Sequence, residues 1–372
     1  MNINVDLQCV TAKGTGIAEF AKARIDYLSK QADVLLYGYY SKLKYNDEDK
    51  YLKSFPFPVK TGHWPISLFY SRKLAKPLPL YYDFLSGNKA DINLYFTWNI
   101  KRVRHHGLTI ATIHDLIALR TEMESPLIVE SQINDLTYTL QNCDYILTVS
   151  ETSKKDIIME FNYPHERIKV IPNGIDFKHF NKPISEEKKK YIRTKYGLPE
   201  NYILYLGGIR KHKNIERLIE AYSILSSSIK DKYHLVITKG NENLKKLSRK
   251  LNIEDKVLFT QFIDEEDKVG LYQMADLYAY VSLYEGFGIP VIEAQASGTP
   301  VITSNVSSLP EIAGDSAMCV NPVSVKDIAY GIDKILSNNT FRYGLINKGF
   351  DNSARYSNEN AGAILYEFLK TL

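Results

Sequence analysis

The run Glu285–Ala294 combines two carboxylates with two glycines, and it follows an apolar, strand-like run, Leu277–Val281. Pro290 stands where a helix would begin. Glycines allow backbone amides to approach a diphosphate closely at a helix N-terminus, where negative charge is favoured. Glu285 in the loop and Glu293 within the helix could each bind vicinal hydroxyls of a sugar or a ribose. The pattern therefore predicts a site for a phosphorylated, hydroxyl-bearing ligand.

A second segment, Gly207–Asn214, lies between a predicted strand and a predicted helix and carries a glycine pair beside a run of cations. Cationic side chains near a helix start form a site for phosphate groups. The spacing and the missing Lys-Ser/Thr pair exclude a P-loop. The four side chains that are or can become cationic are Arg210, Lys211, His212 and Lys213.

Two segments in the first half suit ligand contacts at strand ends. His114 follows a buried strand, and open α/β sheets bind ligands at the carboxyl ends of their strands. A histidine there can donate a hydrogen bond to a hydroxyl or phosphate oxygen. The segment Lys13–Glu19, with Gly14 and Gly16, opens the first helix and suits an anion. A plain strand–helix turn remains the alternative.

Short apolar runs alternate with helix-like segments along the chain, the pattern of parallel, doubly wound α/β sheets. The predicted strands are Ile3–Cys9, Val34–Tyr37, Ile92–Phe96, Thr109–Ile113, Tyr145–Val149, Ile168–Ile171, Ile203–Leu206, Leu235–Thr238, Val257–Phe259, Leu277–Val281 and Val301–Thr303. The turn Pro172–Gly174 and the Lys-rich stretch Asn181–Lys190 indicate a boundary between two domains. We predict domains over residues 1–178 and 179–350, followed by a C-terminal segment, 351–372.

Composition restricts the class of protein further. With 372 residues, 44% hydrophobic and 24% charged, the chain is an ordinary globular protein of about two domains. Three cysteines without metal-type spacing argue against a disulfide framework or a Cys-based zinc site and fit a reducing cytosol. A net charge of +4 gives no indication of nucleic acid. We expect no signal peptide and no membrane span.

Glu285 and Glu293 stand in an E-x7-E pattern, and with the other motifs the chain resembles the retaining GT-B glycosyltransferases of family 4, the group 1 glycosyltransferases that include bacterial mannosyltransferases. The matching segments are Gly14–Ile17, Ile113–Leu116, Val149–Asp156, Val170–Asp176, Lys213–Asn214 and Ser307–Glu311. The resemblance implies two Rossmann-like domains facing each other across a cleft, the second one binding a nucleotide-sugar donor. It also implies that the last helices cross back to the first domain.

The resemblance implies a role for each site residue. Glu293 would hold the ribose, Glu285 the hydroxyls of the donor sugar, and Lys213 the diphosphate. Gly16 and His114 would face the reacting sugar from the first domain. The donor-binding set is Gly16, Gly208, Arg210, Lys213, Glu285, Gly286, Phe287, Gly288, Ile289 and Glu293, and the catalytic set is His114, Lys213 and Glu285. Many relatives carry an arginine where this chain has Gly208, and Arg210 is the candidate replacement.

None of the predicted site segments carries an Asp-x-Asp donor motif, so we expect neither a metal nor a cofactor. GDP-mannose is favoured as the donor, and UDP-sugars are the rival. The acceptor would be a glycan or a polyprenyl-diphosphate-linked glycan in surface polysaccharide or lipopolysaccharide synthesis. A nucleotide-sugar epimerase is the alternative enzyme. A phosphate-binding protein would not need both glutamates, and an NAD oxidoreductase would need Gly or Ala in place of Glu19.

Two basic clusters in the first domain suit the inner face of the cell membrane. Arg72, Lys73 and Lys76 lie among aromatic residues in the loop-rich region Phe55–Tyr82, and the run Lys101–His106 includes Arg102 and Arg104. Cations attract anionic headgroups, and aromatic rings favour the interface. The sequence thus predicts a cytoplasmic protein with a peripheral membrane contact, and a solvated basic face is the alternative.

Overall fold

The computed structural model of this protein describes residues 1–10, 16–41, 52, 54–62, 78–119 and 126–372. The chain forms two compact units. The first comprises Met1–Gly174 and Asn358–Leu372, and the second comprises Ile175–Ser357.

The first unit is built on a parallel sheet whose strands are short, apolar runs. The strands of this unit are β1 (Asn2–Asp6), β2 (Leu35–Ser41), β3 (Val59–Gly62), β4 (Leu78–Tyr81), β5 (Ile92–Tyr95), β6 (Val103–Arg104), β7 (Leu108–Thr112), β8 (Tyr145–Thr148) and β9 (Ile168–Val170). Among the described residues, seven of them form one sheet in the order β3-β2-β1-β5-β7-β8-β9, and β4 pairs with β6. Strand order runs outward in both directions from β1 and β5, so the sheet is doubly wound.

The second unit repeats this topology. Its strands are β10 (Tyr202–Tyr205), β11 (His234–Thr238), β12 (Val257–Thr260), β13 (Leu277–Tyr280), β14 (Val301–Ser304) and β15 (Met318–Val320). Within the described chain they form a six-stranded parallel sheet in the order β12-β11-β10-β13-β14-β15. Strands β10 and β13 are buried along their whole length, as expected for a parallel sheet covered on both faces. The predicted α/β, two-sheet class is confirmed.

Helices connect the strands in both units. They are α1 (Gly16–Ser29), α2 (Tyr82–Ser86), α3 (Pro126–Asn142), α4 (Glu151–Phe161), α5 (Phe177–Asn181), α6 (Glu186–Tyr196), α7 (Ile215–Ser223), α8 (Ser227–Lys232), α9 (Glu242–Lys250), α10 (Lys268–Met274), α11 (Ile289–Ala296), α12 (Leu309–Ala313), α13 (Val325–Ser337), α14 (Asn339–Arg355) and α15 (Asn358–Lys370). Helix α15 packs on α1, where Tyr366 donates a hydrogen bond to Asp33 at 2.7 Å. No helix of the described residues is long and apolar enough to cross a membrane.

The divisions between the units lie close to the predicted boundaries at 178 and 351 but not at them. Helix α5 belongs to the second unit, where the Asn181 side chain donates to the Ala296 carbonyl at 3.2 Å. Helix α14 continues to Arg355 and stays in that unit because Asn352 donates to Gln295 at 2.9 Å. The chain therefore returns to the first unit only at Asn358.

Two interpretations of polar or proline-rich segments need correction. The Lys-rich stretch Asn181–Lys190 lies within the second unit and not at its boundary, and α6 begins in it at Glu186, capped by the Ser185 side chain. In the region Phe55–Tyr82, taken to be loop-rich, the described residues include strands β3 and β4. Residues 63–77, which contain Arg72, Lys73 and Lys76, lie outside the described residues.

Candidate active site

The strand order of the second sheet reverses between β10 and β13, which are hydrogen-bonded neighbours. We call this position the switch point of the sheet. The loops after two such strands diverge, and ligands of open α/β sheets bind in the resulting crevice at the carboxyl ends. Lys213 follows β10 in a short 3₁₀ turn, Lys211–Lys213, and Glu285 follows β13. The topology therefore brings both predicted residues to one edge of the sheet.

Lys213 and Glu285 form an ion pair at this edge. The Lys213 Nζ atom lies 2.6 Å from Glu285 Oε1 and 2.7 Å from the Tyr280 hydroxyl. Both side chains are largely buried, 15% and 12% exposed. A partly desolvated ammonium group attracts an anion more strongly than one in water, because the local dielectric is low. The pair thus provides one strong cation beside one carboxylate.

Asn214 fixes the conformation of the loop that carries Lys213. Its backbone is left-handed, with φ 59°, and its side chain is buried. The Asn214 amide donates to the carbonyls of Val281 at 2.9 Å and Pro322 at 2.7 Å. These bonds connect the loops that follow β10, β13 and β15. Asn214 therefore positions Lys213 beside Glu285 by holding these loops together.

The four potential cations of this loop are not equivalent. Burial lowers the pKa of His212 to about 4, with a further contribution from Lys213, so this imidazole is neutral at pH 7. Arg210 is exposed. A Cβ atom at Gly208 would meet no heavy atom within 4 Å, so the backbone surroundings leave space for a larger residue to begin there. The segment Arg210–Lys213 therefore supplies fewer buried positive charges than its sequence suggested.

The loop Glu285–Gly288 is held by the segment that follows β14. The Ser308 hydroxyl donates to the carbonyls of Glu285 and Phe287, both at 2.9 Å. Gly288 has φ 113° at the start of α11, a conformation that side-chain-bearing residues rarely adopt. In the first turn of α11, Pro290 has no N–H, and the Val291 N–H bonds to the Gly288 carbonyl at 2.9 Å. The helix therefore offers a phosphate chiefly the positive end of its dipole and the Ile289 N–H. The predicted glycine-rich loop, Glu285–Ile289, thus leads directly into a helix N-terminus.

Glu293 lies inside α11, and its carboxylate is buried. Lys268 donates to Glu293 Oε1 at 2.7 Å, and the Tyr272 hydroxyl donates to Oε2 at 3.0 Å. Burial raises the pKa of Glu293, and Lys268 opposes that shift. Burial raises the pKa of Tyr272 well above its usual value, so its hydroxyl remains a donor. A buried carboxylate with two fixed donors is an acceptor of defined orientation.

Two buried tyrosines form hydrogen bonds with the loop that follows β10. Tyr205 donates to the Gly208 carbonyl at 2.8 Å, and Tyr278 donates to the Leu206 carbonyl at 2.9 Å. Burial raises the pKa of Tyr205 and, well above the ordinary value, that of Tyr278. These hydroxyls therefore stay protonated and hold the glycine pair in place.

In the first unit, His114 lies two residues beyond β7, at the carboxyl edge of its sheet. Its Nε2 donates to the Phe96 carbonyl at 3.1 Å, since a carbonyl can only accept. Burial lowers the pKa of His114 to about 4, so the ring is neutral and its Nδ1 carries a lone pair. The prediction that this histidine donates to a ligand therefore needs correction: in this arrangement it can accept from a hydroxyl.

Gly16 is the exposed first residue of α1, and the same helix contacts His114 through Phe20. The rings of Phe20 and His114 meet edge to face, with centroids 5.0 Å apart. The backbone carbonyl of His114 accepts from the Ser153 hydroxyl of α4 at 3.2 Å. Gly14 lies outside the described residues. The structure thus links Gly16 and His114 through one helix.

The predicted basic surface at Lys101–His106 is only partly a surface. Lys101 is fully buried and forms an ion pair with Asp6. Arg102 is 9% exposed, pairs with Asp135 at 3.5 Å and lies over the Tyr138 ring at 3.8 Å. Arg104 is exposed. Arg102 is therefore a structural residue, because α3 supplies a carboxylate and a ring that cover its guanidinium.

Sequence reasoning missed Lys268, Tyr272 and Tyr280, which contact the two glutamates and Lys213. No local pattern marks them, since they belong to an apolar strand and a short helix. Asn214 and Ser308 belong to segments that match the family, but nothing in the sequence indicated their roles. Among the described residues, no group of three His, Cys, Asp or Glu side chains could hold a metal ion.

Two family models match the chain. The model for glycosyl transferases group 1 matches residues 188–351, and the model for glycosyltransferase family 4 matches residues 16–179. Together they cover both units, and each match ends near the division between them.

Curated relatives include bacterial mannosyltransferases. O-antigen chain mannosyltransferase B of Escherichia coli is 30% identical over 299 residues, which are 79% of this chain and 76% of that protein. Serotype-specific mannosyltransferase WbdA of Escherichia coli is 29% identical over 268 residues, 70% of this chain. The matched region spans 33% of WbdA, about a third of its length.

Solved structures with the same fold extend over the whole chain. Sucrose-phosphate synthase from Thermosynechococcus elongatus has a TM-score of 0.74 at 18% identity, covering 100% of this chain and 98% of that one. HepE of Anabaena, solved with UDP and glucose, has a TM-score of 0.71 at 17% identity and covers 100% of both chains. With the family models and the 30% identical relative, these likenesses establish that the chain belongs to the family 4, group 1 glycosyltransferases of GT-B fold.

Proposed function

We propose that this protein is a retaining, metal-independent glycosyltransferase that moves a sugar from a nucleoside-diphosphate sugar to a glycan acceptor in surface polysaccharide synthesis. The observation that carries the proposal is the buried Lys213–Glu285 pair at the switch point, beside the N-terminus of α11. One cation and one carboxylate at that point suit a ligand with a diphosphate next to a hydroxylated ring.

The leaving group explains the need for Lys213. As the bond between the anomeric carbon and the distal phosphate oxygen breaks, negative charge develops on the nucleoside diphosphate. Lys213 and the N-terminus of α11 stabilise that charge in the transition state. The acceptor hydroxyl oxygen then bonds to the anomeric carbon, and its proton passes to the departing phosphate oxygen. Attack on the same face of the sugar retains the anomeric configuration.

The remaining residues orient the two sugars of the donor. Glu285 accepts hydrogen bonds from hydroxyls of the transferred sugar, and Glu293 accepts from those of the ribose. The neutral His114 accepts from a sugar hydroxyl through Nδ1. No residue in this scheme acts as a general base, which agrees with a pKa of about 4 for His114.

Mannose is the favoured sugar, because the curated relatives named above are mannosyltransferases. The donor nucleotide would then be GDP, and UDP-sugars remain the rival. We propose a glycan or a polyprenyl-diphosphate-linked glycan as the acceptor, at the cytoplasmic face of the membrane. For a peripheral membrane contact the candidates are now Arg72, Lys73, Lys76 and Arg104, without Arg102.

A panel of nucleotide sugars tests the proposal. We expect one donor to release nucleoside diphosphate much faster when a glycan acceptor is present. Sugar isomerisation without an acceptor would favour an epimerase instead. Thermal-shift measurements with GDP, UDP and ADP identify the base, because a ligand that binds the native state raises its apparent stability.

Chelation tests the metal-free part of the scheme. Lys213 and the helix N-terminus supply the positive charge that a metal ion would provide, so EDTA should leave turnover unchanged. Loss of activity with EDTA that Mg²⁺ restores would contradict this part and leave the transferase assignment intact.

A further inference from the structure

Two donors from one helix hold the Glu293 carboxylate. Lys268 and Tyr272 lie one turn apart on α10, and they reach Oε1 at 2.7 Å and Oε2 at 3.0 Å respectively. The Glu293 side chain is 7% exposed, and Tyr272 is fully buried. Each carboxylate oxygen can accept two hydrogen bonds. One acceptor position therefore remains on each oxygen, which is the arrangement that two neighbouring hydroxyls need.

The location of Lys268 is unfavourable for the helix that carries it. Lys268 is the first residue of α10, where the partial positive charge of the helix N-terminus opposes a cation. Its side chain is 18% exposed, so it also loses much of its hydration. Burial lowers the pKa of Lys268, but the carboxylates of Glu293 and, 3.5 Å away, Glu265 together outweigh burial and the net shift is upward. The charge of the lysine is thus stabilised by these carboxylates, Glu293 above all, and not by its own helix terminus.

We propose that Lys268 is a positioning residue for ribose recognition, which keeps Glu293 ionised and fixes the plane of its carboxylate for two adjacent hydroxyls. This inference rests on the proposed function, in which Glu293 binds the ribose. Lys268 does not itself need to touch the nucleotide. Its contribution passes through Glu293, so it has a distinct signature in the pH dependence of nucleotide binding.

The groups around Glu293 determine the sign of that dependence. Burial raises the pKa of its carboxyl, Lys268 and Tyr272 lower it, and Glu265 raises it again. Tyr278 also faces this carboxylate and stays neutral. Without Lys268, the Tyr272 hydroxyl alone opposes burial and Glu265, so the protonated acid is favoured more than in wild type. A protonated carboxyl has fewer acceptor positions, so nucleotide affinity falls at neutral pH and recovers as the pH rises.

The experiment compares K268M with wild type by calorimetric titration of GDP, UDP and ADP between pH 7 and 9. For the nucleotide that binds, the wild-type affinity is divided by the K268M affinity at each pH. Ionisation of the phosphates affects both affinities equally and therefore does not change this ratio. At pH 7 we expect K268M to bind about tenfold more weakly, the effect of one hydrogen bond to a charged group. We expect this ratio to move toward one as the pH rises to 9, and any loss that persists there reports the orientation of the carboxylate. A pH-independent ratio, or unchanged affinity in a folded K268M, would overturn the inference.

Three further variants make the test specific. K268R restores the charge and should restore the flat pH profile, and a profile like that of K268M would count against the inference. K348M removes a lysine of an exposed ion pair with Asp315 and should behave as wild type. The double variant K268M/E293Q should bind no more weakly than E293Q alone, because Lys268 acts through Glu293. It also removes both buried charges, which covers the case in which K268M does not fold.

The same set separates this inference from the proposed function. If E293Q binds the nucleotides as tightly as wild type, the assignment of Glu293 to the ribose is wrong. If E293Q weakens binding and K268M does not, only the role of Lys268 is wrong.

Discussion

The two sheets share one topology, but the side chains at the carboxyl ends of their strands differ in charge. In the second unit, two ion pairs lie at or behind that edge, Lys213–Glu285 and Lys268–Glu293. In the first unit, His114 at the corresponding edge is neutral and bonds to a backbone carbonyl. The two ion pairs that suit an anionic leaving group thus lie in the second unit. The first unit also has a buried ion pair at a strand end, Lys101–Asp6 at the end of β1, but His114 is a neutral group, which suits a sugar hydroxyl.

The largest effect should come from removing the cation of the charged edge. We expect K213A to lower kcat/KM by about 10²–10³, the effect of losing one preorganised donor to developing charge. Steady-state kinetics with the identified donor and acceptor would measure it. K211A removes an exposed lysine of the same turn and serves as the matched control.

Arg210 provides a second comparison within this loop. If R210A reduces kcat/KM more than K213A does, the cation that stabilises the diphosphate has been misassigned. G208R then tests whether a cation at that position can replace Arg210, since a Cβ atom there would meet no heavy atom within 4 Å.

The partner carboxylate should matter for turnover more than for binding of the bare nucleotide. We expect E285Q to lower kcat by about tenfold to a hundredfold, since hydrogen bonds to a charged group contribute about 1.5–3 kcal/mol. Nucleoside diphosphate affinity, measured by calorimetry, should change little, because the hydroxyls that Glu285 binds belong to the transferred sugar. Equal losses in nucleotide affinity and turnover would place Glu285 at the nucleotide instead.

Much of the charged edge could be predicted from sequence, because its chemistry is carried by local motifs. Lys213 and Glu285 each follow a buried strand, and the parallel sheet brings strand ends together. Lys268 and Tyr272 could not be predicted in the same way, since their role arises only when α10 packs against α11. Local periodicity marks the helix but not the partner that its side chains meet.

The same limit explains the errors in fold and surface. Strand β15, Met318–Val320, is too short to stand out from its flanking residues. The stretch Asn181–Lys190 suggested a domain boundary because α6, which begins in it, has Ile192 as its one buried residue, so the apolar pattern of an amphipathic helix is almost missing. Arg102 was assigned to a basic face because Asp135, which neutralises it, lies far along the chain.

Removing the neutral His114 of the first unit should have a smaller effect on kcat/KM, and this effect should not depend on pH. We expect H114A to lower kcat/KM about threefold to tenfold, the loss of one neutral hydrogen bond. Because burial holds the pKa of His114 at about 4, below an ordinary value near 6.5, its charge does not change between pH 6 and 8. The ratio of variant to wild-type kcat/KM should stay constant over that range. A ratio that approaches one on the acid side would show that His114 titrates there and acts as a base.

An effect of similar size distinguishes a buried cation from an exposed one within the first unit. Each Lys or Arg near an anionic membrane contributes about 1 kcal/mol, so R104Q should weaken binding to anionic vesicles about fivefold at low salt. R102Q should leave vesicle binding unchanged, because Asp135 and Tyr138 already cover that guanidinium. It should instead lower the urea midpoint, since Asp135 loses its partner. Co-sedimentation with vesicles at low and high salt, beside urea unfolding, measures both. If R102Q reduces vesicle binding as much as R104Q does without a loss of stability, Arg102 must be free to face the membrane, and the two arginines would then form one basic surface.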